Sequence, residues 1–325
     1  MTLPTYADVL AAAARLAPHA HVTPVLRSRA LDAIAGCELQ FKAEPMQRAG
    51  SFKFRGACNA VWSLAADDAA RGVVTHSSGN HGSALALAAR TRGIACHVVV
   101  PEGAVAAKLQ AIEAYGATLH RCAPTIAARE ETAARVQRDT GATFVHPYTD
   151  PRVIAGQGTV ALELLNASGG LDCLVAPVGG GGLASGCALA IAALAPGCEL
   201  LLGEPAGAAD AARSLAAGRL DVDFVPDTIC DGLRGTFGAP GFELLGAHGA
   251  HVAVVEDADT LAALRLMWTR LKLLVEPSSA IAFAAVLQQR ERLAGKRVGV
   301  VLSGGNVDLG AAAQWLGRAA DASFP

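Results

Sequence analysis

The chain has 325 residues, enough for one large or two ordinary domains at roughly 100–200 residues each. With 52% hydrophobic and 17% charged residues it is built for a buried core, and its formal net charge of −2 speaks against nonspecific nucleic-acid binding and a polybasic membrane surface. Eight cysteines without a Cys-x-x-Cys pair argue against zinc and dithiol motifs, and no apolar run of about 18 residues predicts a membrane span.

The opening MTLPTYADVL carries Asp8 and no basic run ahead of an apolar segment, so it does not read as a secretory leader. With the scattered cysteines this predicts a reducing, cytoplasmic setting. Residues 50–57, GSFKFRGA, place Lys53 between Phe52 and Phe54. An ammonium held among apolar groups loses pKa and gains nucleophilicity. The alternative is a lysine that lays its stem along its neighbours and keeps its head in water.

From residue 72 onward short apolar runs alternate with helical ones. GVVTHSS (72–78) predicts a strand, and NHGSALALAARTRG (80–93) a helix closed by Gly93. CHVVVP and AVAAKLQAIEAYG repeat the unit, as do ATLHRCA and IAAREETAARVQRDTG, and FVHPY predicts a further strand. After Pro151, DCLVAPV leads into GGGGLASGCALAIAALAPG, and CELLLGEP follows. Residues 258–277, ADTLAALRLMWTRLKLLVEP, have apolar positions at helical spacing with Arg265, Arg270 and Lys272 opposite, predicting one packed helix. KRVGVVLSG then leads to GNVDLGAAAQWLG. This is an α/β pattern of parallel sheets covered on both faces, spread over two sheets. It pauses near residues 63–71 and 147–151, the candidate domain boundaries. His76, His97 and His146 fall in strand runs as structural histidines, and Trp62, Trp268 and Trp315 read as core.

Three strand-to-helix turns share one form: THSSGNHGSALA (75–86), APVGGGGLASG (176–186) and VLSGGNVDLG (301–310). A helix N-terminus offers free N–H groups to a phosphate or carboxylate, and glycines let the backbone approach it. Residues 179–184 also fit G-x-G-x-x-A, with Glu204 about 20 residues on, so a nicotinamide-dependent oxidoreductase is an alternative. That alternative gives no role to GSFKFRGA or SSGNHG. Two anion cradles and an apolar-flanked lysine instead outline a pyridoxal phosphate enzyme, with Lys53 as the resting Schiff base and an amino-acid carboxylate on the second cradle.

SFKFRGA, SSGNHG, AGQGTVALELL (155–165), PVGGGGL, EPSSA (276–280) and LSGGNVD occur in this order over nearly the full length. As a set they resemble the fold-type II pyridoxal phosphate enzymes of the serine/threonine dehydratase and serine racemase family. The resemblance implies two open twisted parallel-sheet domains of the tryptophan synthase β-like kind. Residues 1–65 and 150–325 would form the large domain, and 66–149 a small one inserted in it. Lys53 is similar to the Schiff-base lysine, with Phe52 beside the pyridine ring. Gly179, Gly180, Gly181 and Gly182 resemble the phosphate cradle, Asn80 the partner of the ring hydroxyl, and Ser303 the partner of the ring nitrogen. Ser77, Asn80 and His81 resemble the substrate-carboxylate loop, and Arg129 a position that pairs with a substrate acid group. Ser78 matches the serine that faces Lys53 across the cofactor in the racemases. Glu204, the Ala208 carbonyl and Asp210 match a divalent-cation site for Mg²⁺, Mn²⁺ or Ca²⁺. Tyr148 and Gly235 depart from the Asn and Ser of the racemases, and a small Gly235 leaves room at the substrate's β-carbon. The expected function is α,β-elimination from a serine- or threonine-type amino acid to a 2-oxo acid and ammonia. Phenylserine, hydroxyaspartate and serine racemisation stand beside it, and a homodimer is expected from the same likeness.

Overall fold

The computed structural model describes residues 2–104, 106–221 and 223–318. Its strands are β1 (Val25–Leu26), β2 (Glu38–Ala43), β3 (Val73–His76), β4 (Cys96–Pro101), β5 (Thr118–Cys122), β6 (Thr143–Phe144), β7 (Cys173–Pro177), β8 (Glu199–Pro205), β9 (His251–Val255) and β10 (Arg297–Leu302). One sheet has the order β1-β2-β10-β7-β8-β9, and the other β5-β4-β3-β6. Every neighbouring pair is parallel except β1 with β2. β2, β7, β8 and β10 are buried over nearly their whole length, as expected of strands covered by helices on both faces. The four-stranded sheet lies wholly between β2 and β7 in sequence, so the chain leaves one sheet, builds the other and returns.

The helix Lys53–Trp62 packs against both the helix Asn80–Arg92 and the helix Pro151–Ser168. Its Phe54, Ala57, Cys58, Ala60 and Val61 share a buried core with Val73, Val98 and Ala84 of the four-stranded unit. Helices Pro151–Ser168 and Gly182–Leu194 touch at Gly158 and Gly186, where a Cβ on Gly186 would sit 2.4 Å from the Gly158 nitrogen. Helix and strand are thus stacked tightly under the carboxyl ends of β3, β7 and β10, where open parallel sheets bind ligands.

Several expectations need correction. FVHPY is strand only at Thr143–Phe144; beyond it His146 Nδ1 accepts the N–H groups of Tyr148 and Thr149, which turns the chain. Residues 258–277 are not one helix. A helix Asp257–Leu266 runs into a wider π turn at Met267–Leu271, which stops at Lys272 with φ 60. The Leu273 and Val275 side chains that follow are buried, and Trp268 Nε1 donates to the Val275 carbonyl at 3.1 Å. The third turn is not a tight one, since its helix starts only at Leu309 and Gly304 instead bridges Ser51. Trp62 and Trp268 are half-buried at core edges rather than central, and Trp315 is half-buried. β2 and β9 lay in stretches where no strand was predicted.

Candidate active site

The segment after β2 passes through two short 3₁₀ turns and reaches Ser51, which bridges Gly304 at the end of β10. Phe52 N–H donates to the Ser303 carbonyl at 2.9 Å, which fixes the start of the Lys53 helix at the mouth of the six-stranded sheet. Lys53 Nζ donates to the Pro147 carbonyl at 3.0 Å and lies 5.2 Å from the Phe52 ring centroid. The side chain keeps part of its surface toward solvent, yet protein atoms crowd it. That burial pulls its pKa down to about 8, against a weaker upward pull from the Glu276 carboxylate. The two flanking rings are not equivalent. Phe52 stays at the site, whereas Phe54 turns into the core under the Arg48 guanidinium, 4.7 Å from its centroid.

Arg55, two residues on, is fully buried and was given no role from sequence. Its guanidinium meets Glu44 at 2.8 Å through Nε and Nη2, and Glu163 at 2.6 and 2.9 Å through Nη1 and Nη2. Lys42 Nζ completes the cluster at 2.5 Å from Glu163, so two buried cations are balanced by two carboxylates. A paired Arg fork of this kind locks the helix carrying Lys53 against β2 and the helix Pro151–Ser168.

The glycine run follows β7. Gly181 sits at φ 91, and a Cβ on Gly180 would lie 2.4 Å from the Tyr148 ring. A Cβ on Gly179 would meet the Leu233 backbone at 2.9 Å, and one on Gly182 the Tyr148 backbone at 3.0 Å. Among the described residues, none of these four N–H groups donates to a backbone acceptor. The helix Gly182–Leu194 begins there, so the loop is a bare donor cradle at a helix N-terminus.

The second cradle, Ser77 to His81, opens the helix Asn80–Arg92 after β3. Gly82 is small because a Cβ there would lie 2.1 Å from the Ser77 carbonyl oxygen. Ser77 and Ser78 are half-buried, and Ser77 Oγ accepts the Gly79 N–H at 3.4 Å. The His81 ring is buried and turned to the Val145 carbonyl at 3.3 Å; burial holds it well below an ordinary imidazole pKa. Its backbone N–H is what it offers the turn.

Asn80 brings in a residue that the sequence reading passed over. Its Nδ2 donates to the Glu276 carboxylate at 2.8 and 3.2 Å, while its Oδ1 accepts from Asn306 Nδ2 at 2.9 Å. Glu276 is buried, and burial followed by the nearby Asp231 charge raises its pKa to about 7. The signal was the Glu of EPSSA, a carboxylate placed before a Pro-initiated helix. Ser303 is buried at the end of β10 with only a 3.4 Å contact to the Ser278 carbonyl, so its hydroxyl is weakly committed.

Around this centre, Gly235 and Tyr148 compensate one another. A Cβ on Gly235 would lie 3.2 Å from the Tyr148 ring, so the space expected at Gly235 is partly filled by Tyr148. Beyond Tyr148 lie His146 at 4.5 Å and then His76 at 5.4 Å between ring centroids. Both imidazoles are held below their ordinary pKa, first by burial; the Lys53 charge acts on His146 and Arg129 on His76. Arg129 is half-buried, with its Nε buried and unpartnered. His97 instead pairs with His120 at 3.1 Å, away from this group.

Glu204, at the end of β8, accepts the Ala211 and Ala212 N–H groups at 2.7 and 2.8 Å and so caps the helix Asp210–Ala217. Asp210 Oδ2 accepts the Phe237 N–H at 2.6 Å, while its buried Oδ1 has no partner. Burial raises both carboxyls, Glu204 to about 8. Glu204 therefore has both carboxylate oxygens committed to a helix start.

A family model described as pyridoxal-phosphate dependent enzyme matches residues 16–304. The chain is 47% identical over 309 residues to the beta-hydroxyaspartate dehydratase of Paracoccus denitrificans, covering 95% of this chain and 98% of that protein. It is 46% identical over 301 residues to a serine racemase of Arabidopsis thaliana, covering 91% of each. The solved structure of maize serine racemase superposes with a TM-score of 0.93 at 40% identity, covering 98% of each chain. The chain belongs to the pyridoxal-phosphate dependent enzymes, in the fold-type II serine/threonine dehydratase and serine racemase family. That membership overturns the nicotinamide alternative. Among the described residues no helix is long and apolar enough to cross a membrane.

Proposed function

We propose that this enzyme is a dehydratase of β-hydroxy-α-amino acids that yields a 2-oxo acid and ammonia, with a substrate carrying a second acid group on its β-carbon. The observation that carries the reading is Lys53: an amine with its pKa lowered to about 8, set at the mouth of the parallel sheets among the two N–H cradles. The residues fit pyridoxal phosphate, because Gly179–Gly182 offer free donors where any Cβ would intrude, and the Ser303 hydroxyl is left to serve a ring nitrogen. When bound, the cofactor supplies an aldehyde that condenses with an amine and an aromatic ring that takes up electron density from the adjacent carbon.

The remaining work falls to the chain. Gly179–Gly182 hold the phosphate, Phe52 flanks the ring, and Asn80 meets its hydroxyl. Ser303 is a neutral donor, which leaves less positive charge at the ring than a carboxylate partner would. Ser77, Asn80 and His81 receive the substrate carboxylate at the helix start through backbone N–H groups. Lys53 Nζ, as the free amine, would take the proton from the substrate's α-carbon, and its depressed pKa makes that form accessible near neutral pH. The β-hydroxyl would leave as water with the proton that Lys53 has just taken up, and hydrolysis of the released enamine would consume one water and liberate ammonia. Ser78 is the donor we place opposite Lys53; proton return from it would give racemisation as a side reaction, consistent with the kinship to serine racemases.

The acidic substrate is favoured by the buried unpartnered Nε of Arg129 and the adjacent imidazoles of His76 and His146, and by the kinship to a beta-hydroxyaspartate dehydratase. We further place a divalent cation, Mg²⁺ in the first instance, on Glu204, Asp210 and the Ala208 carbonyl, because Asp210 Oδ1 is a buried acceptor without a donor. A homodimer is proposed on family likeness, and a cytoplasmic setting on the eight free, buried cysteines.

An oxo-acid and ammonia assay over serine, threonine, phenylserine and hydroxyaspartate tests the reading. Hydroxyaspartate is expected to have a kcat/KM at least about tenfold above serine, and Arg129→Gln to erase that preference. Serine preferred over hydroxyaspartate by the wild type would refute the acidic-substrate reading.

A further inference from the structure

Asn80 and Glu276 are 196 residues apart, one opening a helix of the four-stranded unit and the other preceding a helix of the six-stranded unit. An Asn side chain can present either its carbonyl or its amide nitrogen to a ligand, and only its other partners decide which. Here both ends are fixed. Asn306 Nδ2 donates to the Asn80 carbonyl at 2.9 Å, and the Asn80 nitrogen donates to Glu276 at 2.8 Å. Glu276 is held in turn by the Asn306 N–H at 3.1 Å, and Asn306 Nδ2 also donates to the Ala49 carbonyl at 2.8 Å. Glu276 N–H donates to the Gly304 carbonyl at 3.0 Å, joining this cluster to the β10 segment that positions Ser303 and Phe52.

We propose that Glu276 is a positioning residue: with Asn306 it locks the Asn80 amide so that its second Nδ2 hydrogen is presented as a donor to the cofactor ring. The inference rests on the pyridoxal phosphate reading above. Charge on Glu276 strengthens the lock, because a carboxylate accepts from both Nδ2 and the Asn306 N–H, whereas a protonated carboxyl gives up part of that capacity. The charged and titratable groups that bear on Glu276 are Asp231, Lys108, Lys53 and Cys230. Lys108, on the helix Ala106–Ala114, is ion-paired with Asp231, so the four-stranded unit reaches across here a second time. Because the donor sits on one sheet unit and the lock on the other, seating the ring and holding the two units together become one event.

The test is a double-mutant cycle on the dissociation constant of pyridoxal phosphate for the full-length protein, read by the visible absorption of the bound cofactor. Glu276→Gln should weaken binding about tenfold when Asn80 is present, the scale of one hydrogen bond to a charged group, and by under about twofold in an Asn80→Ala background. Asn306→Ala should show the same coupling, which covers the case of a Glu276 variant that does not fold. The visible band of the wild type should also shift with a midpoint near the Glu276 value of about 7, a shift that Glu276→Gln removes. Tight wild-type binding with additive effects in both cycles would overturn this inference alone. A wild type that binds no pyridoxal phosphate would overturn it together with the function proposed above.

Discussion

At neutral pH an ordinary lysine is almost entirely protonated, and a proton-carrying amine can neither condense with an aldehyde nor accept a proton. Burial changes that balance at Lys53, where the free amine becomes a substantial species around pH 8. Cofactor-free protein should therefore react with trinitrobenzenesulfonate at Lys53 with a midpoint near pH 8, resolved by peptide mapping. A midpoint above about 10, the range of exposed lysines, would contradict the described setting. Lys53 was legible in the sequence because its apolar neighbour and the Gly-Ser before it are local. Arg55 and Glu276 were not, because their meaning lies in partners from remote segments: Glu163 is 108 residues from Arg55, and Asn80 is 196 from Glu276. A buried charge in a sequence looks like any other charge until the fold supplies its counterpart.

Among the elements, the strand-to-helix turns carry the proposed binding groups, and their glycines answer to contacts that no local pattern displays. The run at 179–182 was read as a phosphate cradle from its glycines at a strand-to-helix turn and from the family resemblance, yet its tightest constraint is the Tyr148 ring against Gly180. Gly180→Ala should weaken pyridoxal phosphate binding and lower the thermal midpoint by several degrees, since a Cβ at 2.4 Å from an aromatic ring forces the ring aside. Adding Tyr148→Asn should recover part of both losses; a double variant as impaired as the single would show that the two positions are not coupled. The alternation of strands and helices from residue 72 was legible because buried parallel strands are apolar throughout. The broken helix at 257–271 was not, since a π turn of only five residues barely disturbs an apolar pattern read at helical spacing while it redirects the chain, and Leu273 and Val275 are buried beyond it.

Across the whole molecule, two sheet units are joined around one site, and their electrostatic costs are concentrated in buried carboxyls. Glu204 has a folded pKa raised to about 8, so it binds a proton that the unfolded chain has already released. Its cost to metal-free stability is small below an ordinary carboxyl pKa of about 4.5 and grows as pH rises toward 8. A divalent cation prefers the ionised form and removes that cost. Chelation should accordingly lower the thermal midpoint more at pH 8.5 than at pH 6, and an unchanged midpoint at both would remove the cation from Glu204 and Asp210. The overall two-sheet plan was readable from patterning, whereas the order β1-β2-β10-β7-β8-β9 was not, because it depends on a late strand returning between two earlier ones. Cofactor and chain meet, in the proposed function, at one covalent bond from Lys53. Borohydride reduction of the holoenzyme, followed by peptide mass mapping, should leave the phosphopyridoxyl mass on Lys53. The mass on another lysine, or on none, would contradict it.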